Sequence, residues 1–357
     1  MNENYVQGSP KNRFYILDVM RFLAALAVVF YHYSIYFEGT FFEAATPIAN
    51  YGYLGVPFFF ILSGFVITAS AQNRSAIQFA LSRIARLYPA FWACLIFTCV
   101  IAVYLKRGGI SFGQAAVNLT MLNDYLGVKN IDDVYWTLQA EIKFYGCIFV
   151  LLALNLYKYV KTWLVLWLGL AILHHFYSQP FFLGWLINPS YSFYFIGGVC
   201  SYLLYENKHN SFVLCVLAIA MIFSALKASH QVADFHSVSG SFGEYIAASV
   251  VLVFYAFFMC LSFGLLNLKP YRIYALMGAI SYPLYLCHNR AGKALIDFFS
   301  QSLPMAATIV LVTLFIFAVS LLVHFIVERN LSRAILQIGN TLIERATGLL
   351  GRNKASY

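Results

Sequence analysis

The chain has 357 residues, 61% of them hydrophobic and 10% charged, with a mean hydropathy of +0.74. Soluble globular proteins carry about 25% charged residues, so this composition excludes a soluble domain and a disordered chain, and indicates an all-α, polytopic membrane protein. The net charge of +9 is no sign of a nucleic-acid partner, because in a membrane protein it reports Lys and Arg in cytoplasmic segments.

Apolar runs long enough to span a bilayer fall at about 15–36, 51–71, 89–105, 136–156, 162–177, 183–205, 211–228, 244–266, 273–290 and 304–327, which makes about ten transmembrane helices. Residues 1–14 precede them as a short N-terminal segment. The first run is too long for a signal-peptide core, carries Arg21 and lacks a small-residue cleavage site, so it is expected to be an uncleaved span. It is interrupted by Asp18, Arg21 and His32. Arg21 and His32 are eleven residues apart, which puts them on one helix face about 16 Å apart along the axis. Asp18 lies on the same side, three residues before Arg21. Polar groups at such depth are costly and point to function.

The second run opens with Gly52, Gly55 and Pro57 and continues to Ser63-Gly64, small residues that allow close helix approach. Ser63 lacks the G-x-S-x-G context of a nucleophile. The segment from Ser82 to Pro89 reads as a loop in which Arg83 and Arg86 point the same way. Residues 106–135 form a long mixed outer segment. The fourth run begins Trp136-Thr137-Leu138 and carries Glu141 and Lys143, the latter placed to snorkel outward. Adjacent His174 and His175 point to different faces, and with His230 and His236 they make no convincing metal site. In the ninth run Ser281, Tyr285 and His288 share one face, and Pro283 should kink the helix. The tail, 329–357, places Leu331, Ile335, Ile338, Leu342 and Leu349 at helical spacing, which reads as an amphipathic helix on the inner membrane surface. The seven cysteines all lie in apolar runs without a CxxC and read as small buried hydrophobes.

With the N-terminus cytoplasmic, 15 Lys and Arg fall in inner segments and 6 in outer ones, a bias that favours both termini inside and an even number of spans. The expected organisation is a cytoplasmic segment at 1–14, a transmembrane domain at 15–328 and a cytoplasmic amphipathic tail at 329–357.

Two constellations follow. In the outer third, three helices are expected to present His32, Glu141 and His288 at one level, where a carboxylate beside an imidazole suits a general base. At the inner mouth Arg21, Arg83 and Arg86 suit an anionic ligand, above all a phosphate or pyrophosphate. The same residues also fit structural roles: packing histidines, a Glu141 that neutralises Arg21 or Lys143, and arginines anchored by lipid headgroups.

The stretch Leu17-Asp18…Arg21…His32, the run from Gly55 to Phe65, Arg83-Ile84-Ala85-Arg86-Leu87-Tyr88-Pro89 and Trp136-Thr137-Leu138 with Glu141, Phe144 and Tyr145 together resemble the acyltransferase-3 family of membrane O-acyltransferases. A weaker block is Ser281-Tyr282-Pro283-Leu284-Tyr285-Leu286-Cys287-His288, and Glu328-Arg329 closes the last span in a familiar way. The resemblance covers about 15–330. It implies ten helices with both termini inside, in the cytoplasmic (inner) membrane of a bacterium, and an acyltransferase transferring groups other than aminoacyl groups. The donor substrate would be cytoplasmic acyl-CoA, acetyl-CoA by default, with no resident cofactor and no metal. The acceptor would be a hydroxyl of a sugar, glycan or lipid-linked glycan, with membrane lipids around it. Some members add a C-terminal hydrolase-like domain; no such stretch is visible here, so a relay within this chain is not expected.

On this reading His32 is the general base and Glu141 orients it. Arg21, Asp18, Arg83, Arg86, Trp136, Ser281, Tyr285 and His288 bind substrates. The alternative is a transporter or flippase of a glycan or anionic small molecule, which would also hold Arg, Glu and His inside the membrane.

Overall fold

The computed structural model describes residues 13–106, 108–177, 183–207, 209–232 and 241–354, with side chains in the last stretch from 242 to 345. Lys11, Arg107, Lys208, His236, the segment 1–12 and the side chains of Leu349, Arg352 and Lys354 lie outside the described residues. The protein is all-helical. The helices are α1 (Tyr15–Tyr33), α2 (Thr46–Ala49), α3 (Gly55–Ala71), α4 (Ala76–Tyr104), α5 (Phe112–Asn118), α6 (Trp136–Ala153), α7 (Val160–Tyr177) and α8 (Leu183–Leu186). They continue with α9 (Ser192–Glu206), α10 (Ser211–His230), α11 (Ser241–Ser262), α12 (Arg272–Cys287), α13 (Arg290–Phe299), α14 (Met305–Leu322) and α15 (Arg329–Lys354).

Among the described residues eight helical stretches are long and apolar enough to cross a membrane. The other two expected spans correspond to α9 and α12, of 15 and 16 residues, which fall short of the usual spanning length. The run expected at 183–205 is broken because Pro189 disfavours helical geometry at Asn188, so α8 ends and α9 starts only at Ser192.

A second correction concerns Arg83 and Arg86. They do not sit in a loop but in the first half of α4, which runs for 29 residues with Pro89 inside it. The start is set by a capping box: the Gln78 N–H donates to Ser75 Oγ at 3.3 Å, and the Ser75 N–H donates to Gln78 Oε1 at 3.0 Å. Pro89 suggests a helix start in the sequence, yet an interior proline is tolerated where neighbouring helices support the freed backbone.

Helix association in lipid lacks a hydrophobic drive between apolar surfaces, so close packing through small residues carries it. α1 packs along α12, α3 along α9, and α1 and α3 cross each other, giving a central row α12–α1–α3–α9. Gly52 and Gly55 let α3 meet α1 directly, since a Cβ on either would overlap the carbonyl of Ala27 or Ala24. Gly64 and Gly198 do the same for α3 and α9, where a Cβ on Gly198 would overlap the Ile61 carbonyl. The row separates two cores. One, with Phe58, Phe65, Tyr194, Phe195, Tyr255 and Phe258, joins α3 to α9, α10 and α11. The other, with Val28, Phe91, Leu95, Leu284, Leu286 and Ile316, joins α1 to α4, α12 and α14.

α14 runs into α15 through a π-helical segment, Val323–Glu328, of the kind often found at functional sites. α15 packs against α4. The segment 106–135 is ordered by polar side chains: Asn118 donates to the Lys129 carbonyl at 3.0 Å and accepts from the Ile131 N–H at 3.0 Å, and Gln139 donates to the side chains of Asn123 and Asn130 at 3.0 Å each.

Candidate active site

Two cavities lie back to back along the α1–α3 crossing. The larger, about 570 Å³, is within the range of small-molecule sites. Five arginines (Arg21, Arg74, Arg83, Arg86 and Arg329) line it against two carboxylates, Glu141 and Glu328. With His324 neutral its wall therefore carries a net charge of about +3, which suits a polyanion.

The arginines are not equivalent. Arg86 pairs with Glu328, whose other oxygen lies 2.9 Å from His324 Nδ1. Arg83 donates to Ser70 and Ser82, and Arg74 to Ser70. Arg21 hydrogen-bonds no protein group among the described residues, although Asp18 and Glu141 carry charge nearby. Its guanidinium donors thus remain open to the cavity. Arg74, His324, Arg329 and Ser332 also line this cavity, and no motif or helical spacing in the sequence marks Arg74, His324 or Ser332. Only the Glu328-Arg329 pair at the end of the last span carried a signal for this side of the cavity.

The smaller cavity, about 210 Å³, is lined by His32, Tyr31, Tyr53, Asp133, Trp136, Tyr191 and Gln231, among others. Here His32 Nδ1 lies 3.0 Å from the Val28 carbonyl and 3.1 Å from His288 Nε2, and His288 Nδ1 lies 2.7 Å from the Tyr285 carbonyl. Carbonyls only accept, so both Nδ1 atoms carry the proton. His288 Nε2 then accepts from His32, and His32 Nε2 keeps its lone pair, with no partner among the described residues. That is the tautomer a general base needs.

His288 is fully buried and its peptide is pinned. The Tyr33 hydroxyl donates to the His288 carbonyl at 3.0 Å. Immediately after it, Asp132 accepts from the Asn289 amide and from the Arg290 N–H, each at 2.7 Å. Burial pushes the Asp132 carboxyl above the usual carboxylate range, opposed by these hydrogen bonds. Asp132→Ala is expected to strand three donors, the Asn289 side-chain amide and the Val134 and Arg290 N–H groups, at about 1–3 kcal/mol for each that is buried. Thermal unfolding in detergent should show a lowered midpoint, and an unchanged one would contradict this anchoring.

The structure brings His32 and His288 together, as their shared level suggests, but Glu141 is not with them. It lines the arginine cavity and accepts a 3.1 Å hydrogen bond from Tyr145. The reason is depth: Trp136, at the start of α6, is level with His32, and Glu141 lies five residues, about 7.5 Å, further along. Asp18 lines neither of these two cavities; it binds Arg13 at 2.8 Å and packs against Gly278 of α12. Ser281 lines the large cavity, Tyr285 lines both, and His288 meets His32, so the face of α12 carries them in sequence order along the axis. Trp136 packs against Tyr191 with ring centroids 4.9 Å apart and the planes tilted by 37°. Lys143 binds Asp124 at 2.7 Å and the Gly184 carbonyl at 2.8 Å. Among the described residues no group of three or more His, Cys, Asp or Glu could hold a metal ion.

The sequence profile of a family described as an acyltransferase domain matches residues 14–327. A protein of Acidianus two-tailed virus, provisionally named an acetyltransferase, is 23% identical over 283 residues, 75% of this chain and 80% of that one. No solved structure matches.

Proposed function

The chain belongs to this acyltransferase family, and from that premise we propose that it moves an acyl group, acetyl in the simplest case, from cytoplasmic acyl-CoA to a hydroxyl of a sugar, glycan or lipid-linked glycan at the outer side of the membrane. It is a multi-pass membrane acyltransferase, and membership of an enzyme family sets aside the transporter alternative. The bias of 15 inner to 6 outer cations supports cytoplasmic termini, and the bacterial inner membrane is the location that fits this donor and acceptor.

One observation carries the reading: a cationic cavity and a histidine-bearing cavity meet at a wall one side chain thick, because Val56 and Tyr285 line both. The phosphates of acyl-CoA suit the arginines, with Arg21 offering open donors. The extended phosphopantetheine arm has a reach comparable to the three helical turns between Arg21 and His32, so the thioester can meet the wall while the nucleotide stays at the inner mouth. On the far side, Trp136, Tyr191, Tyr31 and Tyr53 with Gln231 offer flat apolar faces and polar tips, which suit the apolar face and hydroxyl rim of a sugar ring.

In the transfer His32 Nε2 takes the proton of the acceptor hydroxyl, the oxygen forms a bond to the acyl carbon, and the carbon–sulfur bond breaks. The thiolate of CoA leaves and receives the proton back from the imidazolium. His288 and the Val28 carbonyl hold the Nδ1–H side of the ring throughout and stabilise the transient cation. Glu141 has no place in this relay; it balances charge among the arginines.

Mass spectrometry of surface glycans from cells with and without the protein tests the reading. An added acyl mass is expected only with the protein present, together with acyl-CoA-dependent thiol release from its membranes. Identical glycans and no thiol release would overturn it.

A further inference from the structure

The shared wall has a consequence for the donor. We propose that Val56 and Tyr285 set the length of acyl chain that the enzyme accepts. The inference rests on the acyl-CoA reading above and deepens it.

The acyl carbon has to reach a hydroxyl held beside His32, and it approaches from the arginine cavity. Among the described residues only Val56 and Tyr285 line both sides, so the acyl group crosses between them. Neither side chain is free to give way. The Tyr285 hydroxyl is 3.1 Å from Thr137 Oγ1, and its ring meets Phe59 edge-on at 5.7 Å. Val56 is β-branched and confined in χ1 on a helix. Its backbone is fixed by Gly55, seated against the Ala24 carbonyl and Val28 of α1. The same contact holds α3 against the helix that carries His32.

Whatever follows the acyl carbonyl must lie in this crossing or enter the 210 Å³ chamber, which also has to admit the acceptor hydroxyl. Each further methylene takes a volume comparable to a water molecule, about 30 Å³. A butyryl chain adds two, so it competes directly with the acceptor, whereas an acetyl group adds none.

The test uses membranes from cells expressing the full chain, with membranes from cells lacking it as blank. Acetyl-, propionyl- and butyryl-CoA are supplied in turn and thiol release is measured. The wild-type protein is expected to favour acetyl over butyryl. Val56→Ala should lower the acetyl-to-butyryl ratio of kcat/KM by about tenfold, the scale of discrimination for a methylene in an apolar pocket. Val56→Leu should raise the ratio. Loss of folded protein scales all three donors alike and leaves the ratio untouched, so the readout separates specificity from stability. Ratios that remain at the wild-type value in both variants overturn the inference, while absence of thiol release with any donor from wild-type membranes overturns the acyl-CoA reading as well.

Discussion

His32→Ala is expected to lower acyl transfer by about 10²–10⁴-fold, the usual contribution of a positioned general base, while acyl-CoA binding stays near the wild-type level. The expectation comes from the hydrogen-bond pattern. His32 Nδ1 is committed to the Val28 carbonyl and His288, which leaves Nε2 as the lone-pair nitrogen at the small cavity. In the proposed binding mode the donor's charged half lies in the arginine cavity, on the other side of Val56 and Tyr285, so the substitution should leave it undisturbed. His288→Ala should cost less, because Val28 still holds the His32 tautomer when the second imidazole is gone. Thiol release measured beside calorimetric binding of acyl-CoA separates the two effects. A His32→Ala protein that transfers at the wild-type rate would remove the proposed base.

The second large effect is expected at Arg21. Its guanidinium, like that of Arg329 at the cavity's inner side, has no hydrogen-bond partner among the described residues, so its donors are available to a phosphate without breaking a protein contact. A hydrogen bond to a charged group contributes about 1.5–3 kcal/mol, so Arg21→Ala should raise KM for acyl-CoA roughly ten- to hundredfold, with a smaller change in kcat. Arg83→Ala should matter less, since Arg83 already donates to Ser70 and Ser82. Arg86 makes a poorer test: removing it leaves Glu328 buried with His324 alone, and the fold suffers along with binding. Steady-state kinetics across acyl-CoA concentrations, with protein amount normalised, reads the difference. An unchanged KM in Arg21→Ala would take Arg21 out of the donor site.

Local rules carry far in this chain. Hydropathy alone marks it as a polytopic helical membrane protein, and the 3.6-residue period places Arg21 and His32 on one face of the first span. The same period aligns Ser281, Tyr285 and His288 on α12, and the structure finds these three in order from the large cavity to His32. The order and spacing of the motif blocks were enough to raise the acyltransferase family. Helix limits were less legible where two signals compete. Pro89 reads as a boundary, yet the capping box at Ser75 and Gln78 starts α4 one helical stretch earlier.

What the chain could not state in one dimension is how far each helix slides along its neighbours. Periodicity defines a face but leaves the axial offset between helices free. That offset is set by close contacts, such as Gly52 and Gly55 against α1, and by the outer segment, where Asp132 ties down the residues that follow His288. A displacement of five residues along α6 is enough to move Glu141 from beside the imidazole to among the arginines. By itself the sequence determined the class of protein and the family, and it marked Arg21, His32, Tyr285 and His288 as candidate site residues. Only the tertiary structure decided that His32 is paired with His288, and that the two cavities meet at Val56 and Tyr285, because both depend on the relative depth of packed helices.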